Sequence, residues 1–181
     1  MNNLDTNELT SLRGKIQQLK LVLENTKNYR EIWTASLKEK IKSDIAFMTQ
    51  ETGLDVDIEV RDQITNLEAI VISLGKKNSG ISERLEDDLD RPLIRHGGLL
   101  VYQQLFNGKI LVMINYPFIE GYGEPSPPRN IAIYRPEEIK TPFILRHLEE
   151  FVKEIAEWED YDDDDVATKK IGFNVDYQHD D

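Results

Sequence analysis

The chain has 181 residues, 39% of them hydrophobic and 31% charged, with 34 acids against 22 bases and no cysteine. That length can bury a core without cross-links, and it suits one domain with an extended appendage. Zero cysteine excludes thiol nucleophiles, disulfides, iron–sulfur clusters and every zinc site that uses sulfur.

The net charge of −12 is unevenly spread: residues 157–165 hold seven acids and no base. A molecule of this sign repels phosphate backbones, and Lys76-Lys77 and Lys169-Lys170 are isolated pairs rather than a basic face, so no nucleic-acid partner is expected. No apolar run approaches the roughly 20 residues that span a bilayer. Met1-Asn2-Asn3-Leu4-Asp5 has neither the basic start nor the apolar stretch of a signal peptide. The expectation is a cytoplasmic protein with no membrane partner.

The first fifty residues predict helix. Leu9, Leu12, Ile16, Leu19 and Leu23 follow 3-4-3-4 spacing and share one seam. Asp5 and Glu8 have the spacing of a capping box. The seam lapses at Thr26 and Arg30, and residues 25–28 predict a break or bend. A second stripe follows at Trp33, Leu37, Ile41, Ile45 and Met48, with Phe47 beside it, and Gly53 reads as its C-terminal cap. The second stripe is expected to pack on its own domain. The first either does the same or forms a dimer seam.

A strand-rich region comes next. Val56, Ile58 and Val60 alternate with charged residues, the pattern of a half-exposed strand near a sheet edge. Residues 67–74 are more uniformly apolar and predict an inner strand. Residues 75–80 read as a turn or loop, and Ile81, Leu85 and Leu89, spaced by four, predict a short acidic helix ending near Pro92. Asn107-Gly108, flanked by β-rich runs, predicts a hairpin with a two-residue turn. That register places Leu99, Val101, Leu105, Ile110, Val112, Ile114 and Tyr116 on the core face. The opposite face, with Leu100, Tyr102, Phe106, Leu111 and Met113, is apolar enough to need partial cover.

Residues 117–128 form an extended loop with Pro117, Pro125, Pro127 and Pro128. It reads either as a rigid crossover between strands or as a docking loop, stiffened by proline and offering Tyr116 and Tyr122 as contact area. A short strand at 130–134 with Ile131 and Ile133 on one face precedes a helix whose N-cap is Thr141, with Pro142 at its first position. Ile144, Leu148, Phe151, Val152 and Ile155 supply that helix's apolar stripe. After the acidic run, Ile171, Phe173, Val175 and Tyr177 alternate as in a strand, which would pair with an open sheet edge or remain a frayed terminus.

Tyr116-Pro117-Phe118 after a hairpin strand, the Pro127-Pro128 pair, a strand and then a helix resemble, over residues 98–158, the RWD and ubiquitin-conjugating-enzyme-like fold. The longer loop, the long N-terminal helix and the insertion at 75–97 depart from that pattern. Without cysteine the resemblance implies at most a non-catalytic scaffold, and no family is assigned from it.

Catalytic chemistry has no recognisable signature. His96, His147 and His179 lie in no metal-ligand spacing, and the acidic run lacks the glycine and the final glutamate of an EF-hand, so neither a metal nor a cofactor is expected. The expected fold is α+β, an antiparallel sheet of about five strands with helices on one face. Residues 1–52 form a helical arm, one long helix or a helical hairpin; residues 53–158 form the domain; residues 159–181 form an acidic linker and strand-like tail. The leading functional expectation is a protein-interaction or scaffold module that binds a protein partner or a second copy of itself. Its contact residues would be the seam of residues 9–23, the loop residues Tyr116, Pro117, Tyr122, Pro127 and Pro128, and the tail. The rival is an enzyme or small-ligand binder with a pocket between sheet and helix, lined by Arg95, His96, Tyr102 and Tyr134.

Overall fold

The computed structural model describes residues 8–85 and 89–160. Helix α1 (Thr10–Ile32) runs through one widened turn (Trp33–Leu37) into α2 (Lys38–Thr52). The chain then forms β1 (Asp57–Arg61), β2 (Ala69–Ser73), β3 (Lys76–Arg84), β4 (Asp90–His96), β5 (Leu99–Gln104), β6 (Ile110–Asn115), β7 (Phe118–Ile119), β8 (Arg129–Tyr134) and α3 (Thr141–Glu159). Five strands make an antiparallel sheet in the order β1-β2-β5-β6-β8, and β3-β4-β7 make a second, smaller one. The fold is α+β, as the pattern of elements predicts.

The N-terminal region is one long helix without the break expected at residues 25–28. Its irregularity lies further on, where the Lys38 N–H donates to the Trp33 carbonyl across a π-type turn. Residues four apart drift by about 40° per step around an α-helix. Trp33, Leu37, Ile41 and Ile45 would therefore wind off the sheet, and one wider turn draws them back onto it. Gly53 ends α2 in the left-handed conformation with φ of 72°. The capping-box residue Asp5 lies outside the described residues.

The core forms between α2 and α3 and one face of the larger sheet. Trp33, Ile41, Ile45, Ile144, Phe151, Ile70, Ile72, Leu100, Tyr102, Ile110, Val112 and Ile114 all lie within it. Phe47, expected in the packed stripe, is exposed, and so is Val152 on α3. Thr141 is inside its helix rather than the cap, which is Lys140, and its hydroxyl donates to Asp44 at 2.9 Å.

The β5–β6 hairpin corrects the expected register. Gln104 pairs with Ile110, and the Leu105 N–H donates to the Lys109 carbonyl, leaving a three-residue loop with Gly108 at φ of 78°. One residue more in the loop moves every β5 side chain to the other face. Leu100, Tyr102 and Gln104 therefore face the core, and Val101 and Leu99 do not, whereas Ile110, Val112 and Ile114 on β6 do. Leu105 and Tyr116, expected in the core, are half-buried. A register shift where β8 pairs with Val112 and Met113 separates Ile131 from Ile133: Ile131 packs on the core and Ile133 is exposed.

The larger correction concerns residues 75–96. The expected loop and acidic helix are a long β-hairpin, β3 and β4, in which the i, i+4 spacing of Ile81, Leu85 and Leu89 is incidental. Ile81, Leu85 and Leu89 are exposed, and among the described residues of this hairpin Leu93 alone is buried. Gly97 and Gly98 let the chain leave this hairpin past the β2 end. A Cβ on Gly97 would stand 2.8 Å from the Gly75 carbonyl oxygen and 2.8 Å from Leu74 Cβ. Gly97→Val is accordingly expected to cost about 2–3 kcal/mol in urea unfolding, because backbone rather than a side-chain tip must yield. A cost within 0.5 kcal/mol, roughly the surface-substitution range, would refute this close approach.

Candidate functional site

The arm is built from the outer part of α1. This helix buries none of its residues, and its seam faces solvent, with Leu12 52% exposed, Ile16 43%, Leu19 57% and Leu23 61%. Leu9 is half-buried, Val22 borders the seam, and Leu21 is exposed on the opposite side of the helix. The expected packing of this stripe on its own sheet does not occur among the described residues. The root of the arm is fixed by the β5–β6 loop: Arg30 Nη2 donates to the Phe106 carbonyl at 2.7 Å, and a Cβ on Gly108 would lie 2.8 Å from Tyr29 Cβ.

The bases of the arm follow helical spacing, so they do not stand out as adjacent pairs in the sequence. Residues 10–30 hold Arg13, Lys15, Lys20, Lys27 and Arg30 against a single acid, Glu24. With Leu9, Ile16 and Leu23 taken as heptad position a, Arg13, Lys15, Lys20 and Lys27 fall at the e and g positions beside the seam. The arm is an apolar stripe with basic shoulders in an otherwise acidic chain.

The sheet face away from the helices carries a small apolar cluster, Ala69, Val71 and Val101 with Leu99 and Met113 packed against it. A cleft of about 510 Å³ opens there, bordered by Glu59, Arg61, Lys76, His96, Tyr116 and Pro128 among others. His96 stacks on Phe118 with ring centres 4.4 Å apart, and its Nε2 meets Glu120 Oε1 at 2.5 Å. Tyr116 donates to Glu154 Oε2 at 2.5 Å; burial, and then this carboxylate, push its hydroxyl up to about 12. Arg129 ties the same Glu154 and Glu150 together at 2.7 and 2.6 Å. In the proline loop Pro117 is buried, Tyr122 is half-buried, and Pro127 and Pro128 are exposed. The strand-like residues Ile171, Phe173, Val175 and Tyr177 lie outside the described residues.

The four residues proposed for a pocket divide into two groups. Arg95 and His96 sit on β4 and turn to opposite sides: Arg95 pairs with Glu159 and lies 5.5 Å from the Trp158 ring, away from His96 and Phe118. Tyr102 and Tyr134 converge instead on His147, which sequence reasoning passed over. Tyr102 Oη is 3.1 Å from His147 Nδ1, and Tyr134 Oη is 3.1 Å from Nε2. A neutral imidazole donates from one nitrogen and accepts at the other, so one tyrosine receives its proton and the other supplies one. Burial, then the neighbouring Arg146 charge, lowers the His147 pKa to about 4. Burial, then Tyr134 and Asp44, hold the Tyr102 hydroxyl far above its usual range. The recoverable signal was position: His147 falls between Ile144 and Phe151 on the apolar stripe of α3.

A second polar cluster, half-buried, anchors the helix. Trp33 Nε1 and Lys38 Nζ each donate to Glu68 Oε2 at 2.9 Å. Burial alone would raise the Glu68 pKa, but the Lys38 and Trp33 hydrogen bonds outweigh it and hold the carboxyl low. Among the described residues no group of three or more histidines and acids could hold a metal ion, and no helix is long and apolar enough to cross a membrane. No family model, curated protein or solved structure matches the chain.

Proposed function

We propose that this protein is a non-catalytic interaction or scaffold module whose contact element is the helical arm. One observation carries the reading: four seam residues, Leu12, Ile16, Leu19 and Leu23, are each more than two-fifths exposed on a helix that buries nothing. Exposed apolar stripes of this kind mark surfaces that a partner covers, and an amphipathic helix presents its anchors at this spacing. The body supports the role by holding the arm at its root through Arg30 and the Gly108 loop.

Leu12→Asp together with Leu19→Asp tests the reading. Both side chains are exposed, so the double variant is expected to unfold within about 0.5 kcal/mol of the parent. Its association in sedimentation at tens of micromolar, a range suited to ordinary interface affinities, should fall at least tenfold. A parent and variant that behave identically, in self-association and in pull-downs with native extract, would remove the basis for this function.

A small-ligand reading has one observation in its favour, the 510 Å³ cleft with Arg61, Lys76 and His96 on its border. Arg61 is paired there with Glu59 and His96 with Glu120, so among the described residues of the cleft Lys76 is the cation left to meet an anionic ligand, and a thermal shift abolished by Lys76→Ala would support it.

A further inference from the structure

We infer that the arm's partner is the acidic segment following α3 in a second copy of this chain, so that two copies exchange arm and tail reciprocally. This rests on the arm being the contact element and names what it contacts. Residues 157–165 carry seven acids, and the apolar residues Val166, Ile171, Phe173, Val175 and Tyr177 follow them. That sequence combines acidic charge with apolar side chains and so complements an apolar seam with basic shoulders.

Two alternatives lose on geometry and charge. The first is arm against arm. In a parallel pair Lys15 would face Lys20 of the other helix, and in an antiparallel pair the e positions Arg13, Lys20 and Lys27 would face one another. Like charges meet in either orientation, which works against homotypic pairing. The second is the arm against its own acidic run. Leu54, just past α2, and Glu159, at the end of α3, border the same cleft. Residue 23 is therefore roughly 45 Å from that point along the continuous helix, at about 1.5 Å per residue. Asp165 is five residues beyond Asp160 and reaches at most about 18 Å from it. The acidic run cannot reach the seam of its own arm, but it can reach another's; residues 171–177 are long enough to follow it there, so the acidic run decides the pairing. A two-fold exchange satisfies both arms and both tails at once, whereas a one-way contact would leave one of each open.

The test uses the full chain in sedimentation equilibrium, with circular dichroism to confirm that each variant is folded. The parent is expected to dimerise at low salt and to weaken at least tenfold when salt is raised to roughly 0.5 M, where screening extends over only a few ångströms. Replacing Asp162, Asp163, Asp164 and Asp165 by Asn should weaken the dimer at least tenfold. A chain with Arg13→Glu, Lys15→Glu and Lys20→Glu, and another with Asp162→Lys, Asp163→Lys, Asp164→Lys and Asp165→Lys, should each be monomeric. A chain carrying both sets should dimerise again, because both contacts then pair opposite charges. If Leu12→Asp with Leu19→Asp disrupts the dimer while the Asn variant and salt do not, the arm remains a contact element and the tail assignment fails. A parent that is monomeric throughout, or whose arm is captured instead by vesicles rich in phosphatidylserine, overturns the exchange outright.

Discussion

Trp33→Ala is expected to cost about 4 kcal/mol in urea unfolding, the upper part of the range for a large aromatic removed from a core. The ring is fully buried and packs where the arm meets the domain, and truncation leaves a cavity there. It also strips the Glu68 carboxylate of one of its two donors, Trp33 Nε1 and Lys38 Nζ. Trp33→Phe separates the two effects in part, since it loses the hydrogen bond, at about 1–2 kcal/mol, while keeping much of the packing. Equal losses from the two substitutions would show that the hydrogen bond rather than the packing dominates. A loss below about 1 kcal/mol, less than a single buried methylene plus its cavity, for Trp33→Ala would contradict the buried position.

Acidification should destabilise the fold through His147. Its folded-state pKa is depressed to about 4 from the ordinary 6.5. Below 6.5 the unfolded chain binds a proton that the folded chain refuses, so stability falls as pH drops from about 6.5 toward about 4. Full development of this loss is worth roughly 3 kcal/mol, at 1.36 kcal/mol per pKa unit. The informative quantity is the difference between parent and His147→Gln, in which every other group cancels. Gln keeps a donor and an acceptor for Tyr102 and Tyr134 and carries no titrating group. The variant should be less stable at neutral pH and lose less on acidification. Parallel stability curves for the two proteins would place His147 outside the pH response.

The parts of the fold that were legible in the sequence are those where one periodicity dominates and burial enforces it. The apolar run Ala69, Ile70, Val71 and Ile72 is an inner strand, buried between β1 and β5. The stripe Ile144, Leu148, Phe151 and Ile155 packs because a helix places those positions on one side. The β3–β4 hairpin was illegible for the opposite reason. Its residues are mostly exposed on both faces, so no burial pattern marks it, and three apolar residues four apart imitate a helix. The β5 register turned on a single residue: Asn107-Gly108 serves either a two- or a three-residue loop, and contact of Gly108 with Tyr29 on α1 belongs to tertiary structure. The candidate site was half legible. The leucine seam could be read directly, whereas its basic shoulders required the helix to be known before Arg13, Lys15 and Lys20 came together.

The clamped, unburied arm also governs how the molecule moves through water. From Thr10 to Asn25 the helix extends for roughly 24 Å at about 1.5 Å per residue with none of its residues buried among the described residues, adding frictional drag out of proportion to its mass. A single copy will therefore diffuse and elute as a larger particle would, and it will tumble more slowly about its short axes than about its long one. Arm-bound pairs that fold each helix against a neighbour would gain mass while losing that excess drag, so the ratio of friction to mass should drop on assembly.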